Sequence, residues 1–312
     1  MGRAGVSLRP VKDDRGAQAA AYLRLLLVRA GEPRSIWAKH APETRPGEID
    51  PDAVAEVLRA GGETDTGDIG AEASDNAGSV RAVLDGTGLS AETLERFIEA
   101  FDLGPRHATR LRSIMRGSDS VRVIIGNELA ELHGGSGPAL ETLAVHELHT
   151  LGPDGLPAEH QAIQVIRSTL EQLDAYPYRF DTDELVVEVV RGGRVGDVYR
   201  VNESLFGFDM VLDRPLAHGE TALMHYRLTF GYRTPPPPEF RRGALGVMRD
   251  VTLWLQFHPD RLPARVWLAR WDRLDHATVI EQQQVDLDGE FSVQARYDQI
   301  EDVIVGFHWE WT

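Results

Sequence analysis

The sequence predicts an α+β fold in two domains, an all-α N-terminal bundle followed by an antiparallel β-sandwich. Up to about residue 118, apolar residues recur at spacings of three and four, as on the buried face of a helix. From Leu143 onward they recur at every second position, as on one face of a β-strand. The Gly-rich run GGSGP at 134–138 lies between the two patterns. We therefore expect a helical domain at 1–118, a linker at 119–141 and a β-domain at 142–312.

Six helices are expected in the first domain. They lie in the segments AQAAAYLRLLLVRAG, RSIWAKHA, IDPDAVAEVLRAGG, SVRAVLDG, AETLERFIEAFDLG and the run that Pro105 opens. Asp50 and Ser90 are residue types that cap helices, and Pro51 and Pro105 suit a first turn. Residues 61–78, between the third and fourth helices, are rich in Gly and acids and have no periodicity, which predicts a mobile loop.

The second domain is expected to consist of many short strands. Alternation is clearest at 222–232, and the runs at 251–257 and 303–311 follow the same rule. Turn sequences such as RGGRVGD and DLDGE separate the runs. The segment IQVIRSTLEQL is compatible with either a helix or a strand. This spacing of short strands indicates an antiparallel sandwich or barrel, and we take the sandwich.

The chain is strongly acidic, and its charge is unevenly distributed. Thirty-three Lys and Arg residues against 49 Asp and Glu give a net charge of −16. Residues 1–118 contribute −2 and residues 119–312 contribute −14. Such a field repels DNA phosphates and acidic membranes unless a local basic surface opposes it. Any contact with a polyanion is therefore expected in the first part of the chain.

Absent features exclude several classes of protein. Without cysteine, the chain has no disulfide, no thiolate metal site and no cysteine nucleophile. No uninterrupted apolar run reaches the roughly 18 residues of a membrane span. The N-terminal sequence MGRAGVSLRPVKDDRG lacks the apolar core of a signal peptide. These observations predict a cytoplasmic protein that makes no membrane contact.

One segment, LGPRHATRLRSIMRG at 103–117, concentrates positive charge. Its arginines share one broad face of the expected helix, opposite the apolar residues; they are Arg106, Arg110, Arg112 and Arg116. Three interpretations remain open. The face is solvated and paired with acids of the preceding helix, or it contacts nucleic-acid phosphates, or it contacts the acidic second domain. The acids of the preceding helix are Glu92, Glu95 and Glu99.

The order of the helical segments resembles that of the phage-repressor-like (XRE-type) helix-turn-helix regulators of actinobacteria. AAYLRLLLVRAG matches the first helix, RSIWAKHA the second, IDPDAVAEVLRAGG or SVRAVLDG the third, and LSAETLERFIEAFDLG the fourth. In such regulators the third helix usually enters the major groove. The resemblance implies a helix-turn-helix-like bundle that binds DNA.

Residues 142–312 resemble the C-terminal domain that lies beside such helix-turn-helix segments. The matching stretches are HELHTLGPDGLP, PPPPEFRRG, FHPDRLPARVWLARWD and IVGFHWEW. This second resemblance implies a domain architecture but no chemical activity.

The candidate DNA contacts lie on three of the expected helices, the third, the fourth and the sixth. They are Arg59, Ser79, Arg81, Arg106, Arg110, Arg112 and Arg116. Both candidates for the third helix are poor in the Arg, Lys, Asn and Gln residues that contact base edges. The arginines of 103–117 are therefore expected to contact phosphates rather than bases.

Two segments of the second domain carry residue types that bind ligands. One of them is FHPDRLPARVWLARWD, whose candidate residues are Arg265, Trp267, Arg270 and Trp271. These residues form either a surface that binds a ligand or a partner, or a sheet edge on which arginines lie over indoles. The sequence HELH contains two histidines three residues apart, whereas the zinc helix motif needs them four apart. On the expected strand His146 and His149 face opposite sides, so we expect no metal there.

The sequence contains no phosphate-binding loop, dinucleotide fingerprint or G-x-S-x-G turn. It predicts a non-enzymatic cytoplasmic transcription regulator without a cofactor. Its helical domain would bind DNA, and its β-sandwich would oligomerise, sense a ligand or hold a partner. The alternative is a protein-interaction adaptor of a bacterial defence or signalling assembly, with a degenerate helix-turn-helix that does not bind DNA. The expected partners are DNA, another protein, or a second copy of the chain in a homodimer.

Overall fold

A computed structural model describes residues 15–29, 31–45, 47–62, 76–118, 120–125, 140–182, 184–201, 205–232, 235–244, 246–272 and 278–312. The GGSGP run and most of the expected loop at 61–78 lie outside these residues. The chain divides into two compact units, which are 1–27 with 36–118, and 28–35 with 119–312. No described helix is long and apolar enough to cross a membrane. The cytoplasmic location stays a prediction.

Six helices lie among the described residues, at the positions that the spacing of apolar residues predicts. They are α1 (Arg15–Val28), α2 (Glu32–Ala38), α3 (Pro51–Gly62), α4 (Ala77–Leu84), α5 (Ala91–Ala100) and α6 (Pro105–Arg116). The side chains of Asn76 and Ser90 cap α4 and α5 by accepting hydrogen bonds from the backbone N–H groups of Ser79 and Thr93. Helix α3 packs against α4 and α5, and α5 packs against α6.

Fourteen strands follow in the described part of the chain. They are β1 (Val121–Ile125), β2 (Leu140–Leu151), β3 (Pro157–Ser168), β4 (Leu173–Phe180), β5 (Glu184–Arg191), β6 (Gly193–Arg200), β7 (Phe206–Leu216), β8 (Thr221–Phe230), β9 (Glu239–Gly243), β10 (Val247–Gln256), β11 (Pro263–Trp271), β12 (Val279–Val285), β13 (Ser292–Glu301) and β14 (Ile304–Trp311). The ambiguous segment IQVIRSTLEQL therefore begins in strand β3, as its strand interpretation required. Strand β1 lies within the range that was expected to be a linker.

The strands form three sheets. A seven-stranded sheet has the order β1-β5-β8-β3-β2-β10-β13, a four-stranded sheet has the order β12-β11-β14-β9, and a three-stranded sheet has the order β4-β7-β6. Strands β2 and β10 pair in parallel, and every other neighbouring pair is antiparallel.

Both smaller sheets cover the same face of the seven-stranded sheet. Val145 on β2 lies opposite Gln164 on β3, and Ala162 shares the face of Gln164 because side chains alternate along a strand. Val145 packs in an apolar core with Phe307 of the four-stranded sheet. Ala162 packs in a separate core with Phe208 of the three-stranded sheet. Strand β2 is thus covered by the four-stranded sheet at Val145, and the neighbouring strand β3 is covered by the three-stranded sheet at Ala162.

The expected fold class is wrong. The described part of the chain is mostly β, with 49% strand and 24% helix in six short helices. It has three sheets, one of them mixed, in place of an all-α bundle followed by a two-layer antiparallel sandwich. The period-two pattern identifies strands, but it does not say which strands pair. The parallel pairing of β2 with β10 joins segments far apart in the chain, which no local pattern indicates.

Candidate functional site

The covered face of the seven-stranded sheet is polar along β2 and β3. Glu147 and His149 on β2, and His160 and Gln164 on β3, are all between 0% and 6% exposed. His149 and His160 lie directly opposite each other. Burial of polar groups costs free energy unless they are hydrogen-bonded, so four such neighbours in one interior are unusual. Together with Tyr226 of β8 and Arg242 of β9, they are called the polar cluster below.

Arg242 reaches the cluster from the edge strand of the four-stranded sheet. Its Nη1 donates a hydrogen bond to Glu147 Oε1 at 2.7 Å, and His160 Nε2 lies 3.8 Å from the same oxygen. Burial raises the pKa of the Glu147 carboxyl, and the positive charge of Arg242 opposes that shift. The two opposite charges of this ion pair cancel within the cluster.

The ring of Phe240, which lies on β9 like Arg242, covers both His149 and His160. Phe240 stacks on His149 with ring centroids 4.7 Å apart and 8° between the planes, and it meets the His160 ring edge-on at 5.7 Å. Burial lowers the pKa of His160 to about 3, and it lowers the pKa of His149 well below its ordinary value. Both imidazoles are therefore neutral at neutral pH, and the cluster carries no net charge.

A second tyrosine, Tyr178, borders the cluster on the side of the three-stranded sheet and contacts Tyr226. The ring of Tyr178 on β4 lies edge-on to the ring of Tyr226, at 5.4 Å. Burial raises the pKa of both phenols well above the ordinary value, so both carry their protons. Strand β4 is an edge of the three-stranded sheet, and β9 is an edge of the four-stranded sheet. The cluster thus lies between the facing edges of the two smaller sheets.

Many buried polar atoms of the cluster lack a hydrogen-bond partner among the described residues. They are Nδ1 and Nε2 of His149, Nε2 of His160, Nε2 and Oε1 of Gln164, the hydroxyl of Tyr226 and Nε of Arg242. Each such atom costs about 1–3 kcal/mol when it is left without a partner. Native interiors satisfy roughly 90% or more of their buried polar groups, so this concentration is a feature that needs a molecular explanation.

The HELH motif contributes two residues to this site. The predicted strand is confirmed, with His146 exposed on one face of β2, and Glu147 and His149 buried on the other. Among the described residues, no group of three or more His, Asp or Glu side chains is arranged to hold a metal ion. Arg242 occupies the position beside the Glu147 carboxylate where a second cation would have to bind.

The expectation that Arg110 points outward is wrong. Arg110 on α6 is 2% exposed, and its Nη1 lies 3.4 Å from the hydroxyl of Tyr22. That hydroxyl is hydrogen-bonded to His107 Nδ1 at 2.7 Å. The guanidinium turns inward because these two side chains offer it polar surroundings within the helical unit.

The remaining arginines of α6 are less buried than Arg110. Arg112 donates through Nε and Nη2 to the two carboxylate oxygens of Glu95, at 2.7 and 2.5 Å. Arg106 and Arg116 are exposed. For Arg112, this geometry matches the solvated interpretation, in which the face pairs with acids of the preceding helix.

The other candidate DNA contacts lie on two different helices. Arg59 is exposed in the last turn of α3. Arg81 is exposed on α4, and Ser79 is half-buried near the start of the same helix.

The candidate ligand surface on β11 is occupied by internal contacts. Arg265 lies over Trp267 at 5.1 Å and pairs with Glu310 at 2.5 Å. Arg270 pairs with Glu281 at 3.3 Å, and Trp271 is buried. This arrangement matches the alternative interpretation, a sheet edge on which arginines lie over indoles and pair with acids.

A surface cavity of about 240 Å³ lies elsewhere in the β unit. Its lining includes Arg191, Asp213 and Arg214. Arg214 is paired with Glu220 at 2.8 Å, and none of these three lining side chains is buried without a hydrogen-bond partner, in contrast to those of the polar cluster. The cluster is the stronger candidate site for that reason.

Sequence reasoning missed most of the polar cluster. It considered HELH only as a metal motif, and it did not identify Gln164, Tyr226 or Arg242. A usable signal exists, because Glu147 and His149 occupy the inward positions between Val145 and Leu151. Polar residues at the inward positions of an alternating strand indicate a buried polar site.

Comparisons with known proteins found neither a matching family model nor a matching curated protein. Solved structures match part of the chain. A "putative protease" from Parabacteroides distasonis has a TM-score of 0.36 and 10% identity, and the match covers 55% of this chain and 41% of that one. The M1 zinc metallopeptidase from Deinococcus radiodurans has a TM-score of 0.23 and 14% identity, over 58% of this chain and 44% of that one. This chain thus spans less than half the length of these proteins.

The functional expectations from the sequence, a non-enzymatic regulator or its adaptor alternative, are corrected by the structure. Both assumed a helix-turn-helix bundle followed by an antiparallel sandwich, whereas the described strands form three sheets, one of them mixed. The basic face on which DNA contact depended is also incomplete, because Arg110 is buried and Arg112 is ion-paired. At TM-scores of 0.36 and below, the matches assign no activity to this chain.

Proposed function

We propose that the β unit binds a small, uncharged polar molecule in the polar cluster. The observation that carries the proposal is a set of buried nitrogen and oxygen atoms on strands β2, β3, β8 and β9, which have no hydrogen-bond partner among the described residues. A molecule that enters between β4 and β9 and bonds to these atoms would recover part of the free energy that their burial costs.

The charge of the site selects a neutral ligand. Glu147 and Arg242 neutralise each other, and both histidines are neutral at neutral pH. A charged ligand would therefore be buried without a counter-charge, which costs several kcal/mol. An uncharged ligand avoids that penalty.

The unsatisfied atoms also determine which polar groups the ligand should carry. Arg242 Nε and the Tyr226 hydroxyl donate, Gln164 both donates and accepts, and each neutral imidazole has one donor and one acceptor nitrogen. A primary carboxamide, with one carbonyl oxygen and one NH₂ group, matches this mixture of donors and acceptors. The ring of Phe240 provides an apolar wall beside it.

Acetamide and acetate test the proposal as a matched pair of probes, since they have nearly the same size and differ in charge. With four non-hydrogen atoms, acetamide binds no more tightly than roughly tens of micromolar, so the titration should extend into the millimolar range. We expect acetamide to raise the melting temperature of the wild-type protein relative to acetate. In Gln164→Leu this difference should vanish, because that variant lacks two of the ligand's partners.

Gln161→Leu is the matched control. Gln161 lies on the same strand and faces the opposite side, where its Oε1 accepts from Arg227 at 3.3 Å. This variant should keep the wild-type response to acetamide. Equal responses to acetamide and acetate in the wild-type protein would overturn the proposal.

A further inference from the structure

Strand β12 is an exposed edge of the four-stranded sheet. Within the described part of the chain it pairs on one side only, with β11. Six of its seven residues are exposed, and Ile280 reaches 59%. Such an edge presents a row of backbone N–H and C=O groups that can pair with another strand.

The edge carries few of the features by which natural proteins prevent edge pairing. Its sequence, VIEQQQV, contains no proline and no lysine, and Glu281 is its only charged residue. The one irregularity in its pairing with β11 lies at its first residues, opposite Arg270 and Trp271. The remainder of the strand is regular and accessible along its free side.

We propose that two copies of this chain associate by antiparallel pairing of β12 with β12 about Gln282, which would join two four-stranded sheets into one sheet of eight. The partner is a second copy because the strand complements itself in this register. A two-fold axis at Gln282 aligns all seven residues and places Val279 opposite Val285. It places Glu281 opposite Gln283, so no like charges face each other. An antiparallel pair about a two-fold axis is also closed, so it ends at a dimer.

Other registers are less favourable. A two-fold axis at Glu281 would put two carboxylates directly opposite each other, which destabilises a strand pair. It would also shorten the ladder, because Gln284 and Val285 would extend past the end of the partner strand. The register about Gln282 avoids both defects.

The outer face of the sheet already positions the central side chain. Gln282 Oε1 lies 2.8 Å from Nε2 of His308, a residue of β14 on the same face of the sheet, and this contact holds the amide in place. In the dimer the two Gln282 side chains would lie side by side on this face. Gln283 projects to the other face, as its opposite neighbour Leu268 does. Residues 282 and 283 therefore probe the register independently.

Analytical ultracentrifugation of the full-length chain tests the proposal. Gln282→Lys places two positive charges opposite each other, and we expect it to weaken the dimer by about fivefold or more. Gln283→Lys is the matched control, because its new charge would lie opposite Glu281. That variant should dimerise at least as tightly as the wild-type protein. A mixture of Gln282→Lys with Gln282→Glu should restore association through opposite charges.

Salt provides a second readout. The net charge of −16 on each chain opposes association, and salt screens that repulsion. Dimerisation of the wild-type protein should therefore strengthen as ionic strength rises. A wild-type chain that stays monomeric at high concentration and high salt would overturn the proposal. So would equal dissociation of the Gln282→Lys and Gln283→Lys variants.

Discussion

Arg242 and Glu147 form a buried ion pair that connects the edge of the four-stranded sheet to the centre of the seven-stranded sheet. The donor and acceptor atoms are 2.7 Å apart, and the side chains are 15% and 1% exposed. Attraction between two buried charges roughly offsets the cost of removing both from water. The removal of one partner, however, leaves the other charge buried and alone.

Arg242→Met should therefore destabilise the protein by about 3–5 kcal/mol, as expected when one partner of a buried pair is lost. The double variant Glu147→Leu/Arg242→Met should lose less, because neither charge remains. Urea unfolding measures both values. Arg241→Met is the control, since Arg241 lies on the same strand and its guanidinium lies over Trp271 on the other face. If the double variant is as unstable as the single one, the loss does not come from an unpaired buried charge.

The buried histidines should make stability depend on pH. Folding lowers the pKa of His149 and His160, so their contribution is present above the unfolded value near 6.5 and is lost as the pH falls. Each histidine adds up to about 1.4 kcal/mol per pH unit below that value. The raised pKa of Glu147 acts in the opposite sense. Its contribution to stability is present at pH values below the ordinary pKa of a Glu carboxyl and is lost as the pH rises.

Between about pH 6.5 and 5, the free energy of unfolding of His160→Gln should therefore fall less steeply with pH than that of the wild-type protein. The difference in slope should correspond to the uptake of up to one proton. The comparison with the wild-type protein removes the contribution of Glu147, which is common to both. Parallel curves for the wild type and His160→Gln would contradict burial of a neutral imidazole.

Gly306 allows β9 to approach β14 closely. A Cβ atom at this position would overlap the carbonyl oxygen of Phe240, which pairs with β14 next to it. Gly306→Ala should therefore displace β9 and lower the melting temperature markedly. Gly289→Ala is the control, because a Cβ there meets nothing within 4 Å. Equal melting temperatures for the two variants would show that β9 tolerates displacement without loss.

The two neighbouring arginines of α6 should differ in their effect on stability. Arg110→Ala removes a buried side chain and its contact with Tyr22, and should cost about 2–3 kcal/mol. Arg112→Ala removes an ion pair at the surface, and its effect should be small. Thermal unfolding of both variants measures the contrast. Similar losses would show that Arg110 is not buried in the folded protein.

Local patterns in the sequence predict the elements well and their assembly poorly. The period of α6 and the Pro105 that opens it place the helix correctly, but the inward turn of Arg110 depends on Tyr22, far away in the chain. Alternation correctly places His146 and His149 on opposite faces of β2.

The candidate site is harder to predict because its residues come from separate strands. His149 meets His160 through the pairing of β2 with β3, and it meets Phe240 through the packing of one sheet on another. Only the first contact joins neighbouring strands of the chain. The contact between sheets depends on tertiary packing, which residue spacing does not encode.

NMR titration of the histidine ring signals tests whether the polar cluster binds a compact, uncharged polar molecule. Acetamide should shift the ring signals of His149 and His160 in a saturable way and leave those of exposed His146 unchanged. Acetate should shift neither buried ring at the same concentration. If acetamide moves no buried ring signal, or if acetate moves the same signals equally, the cluster is not a site for an uncharged ligand.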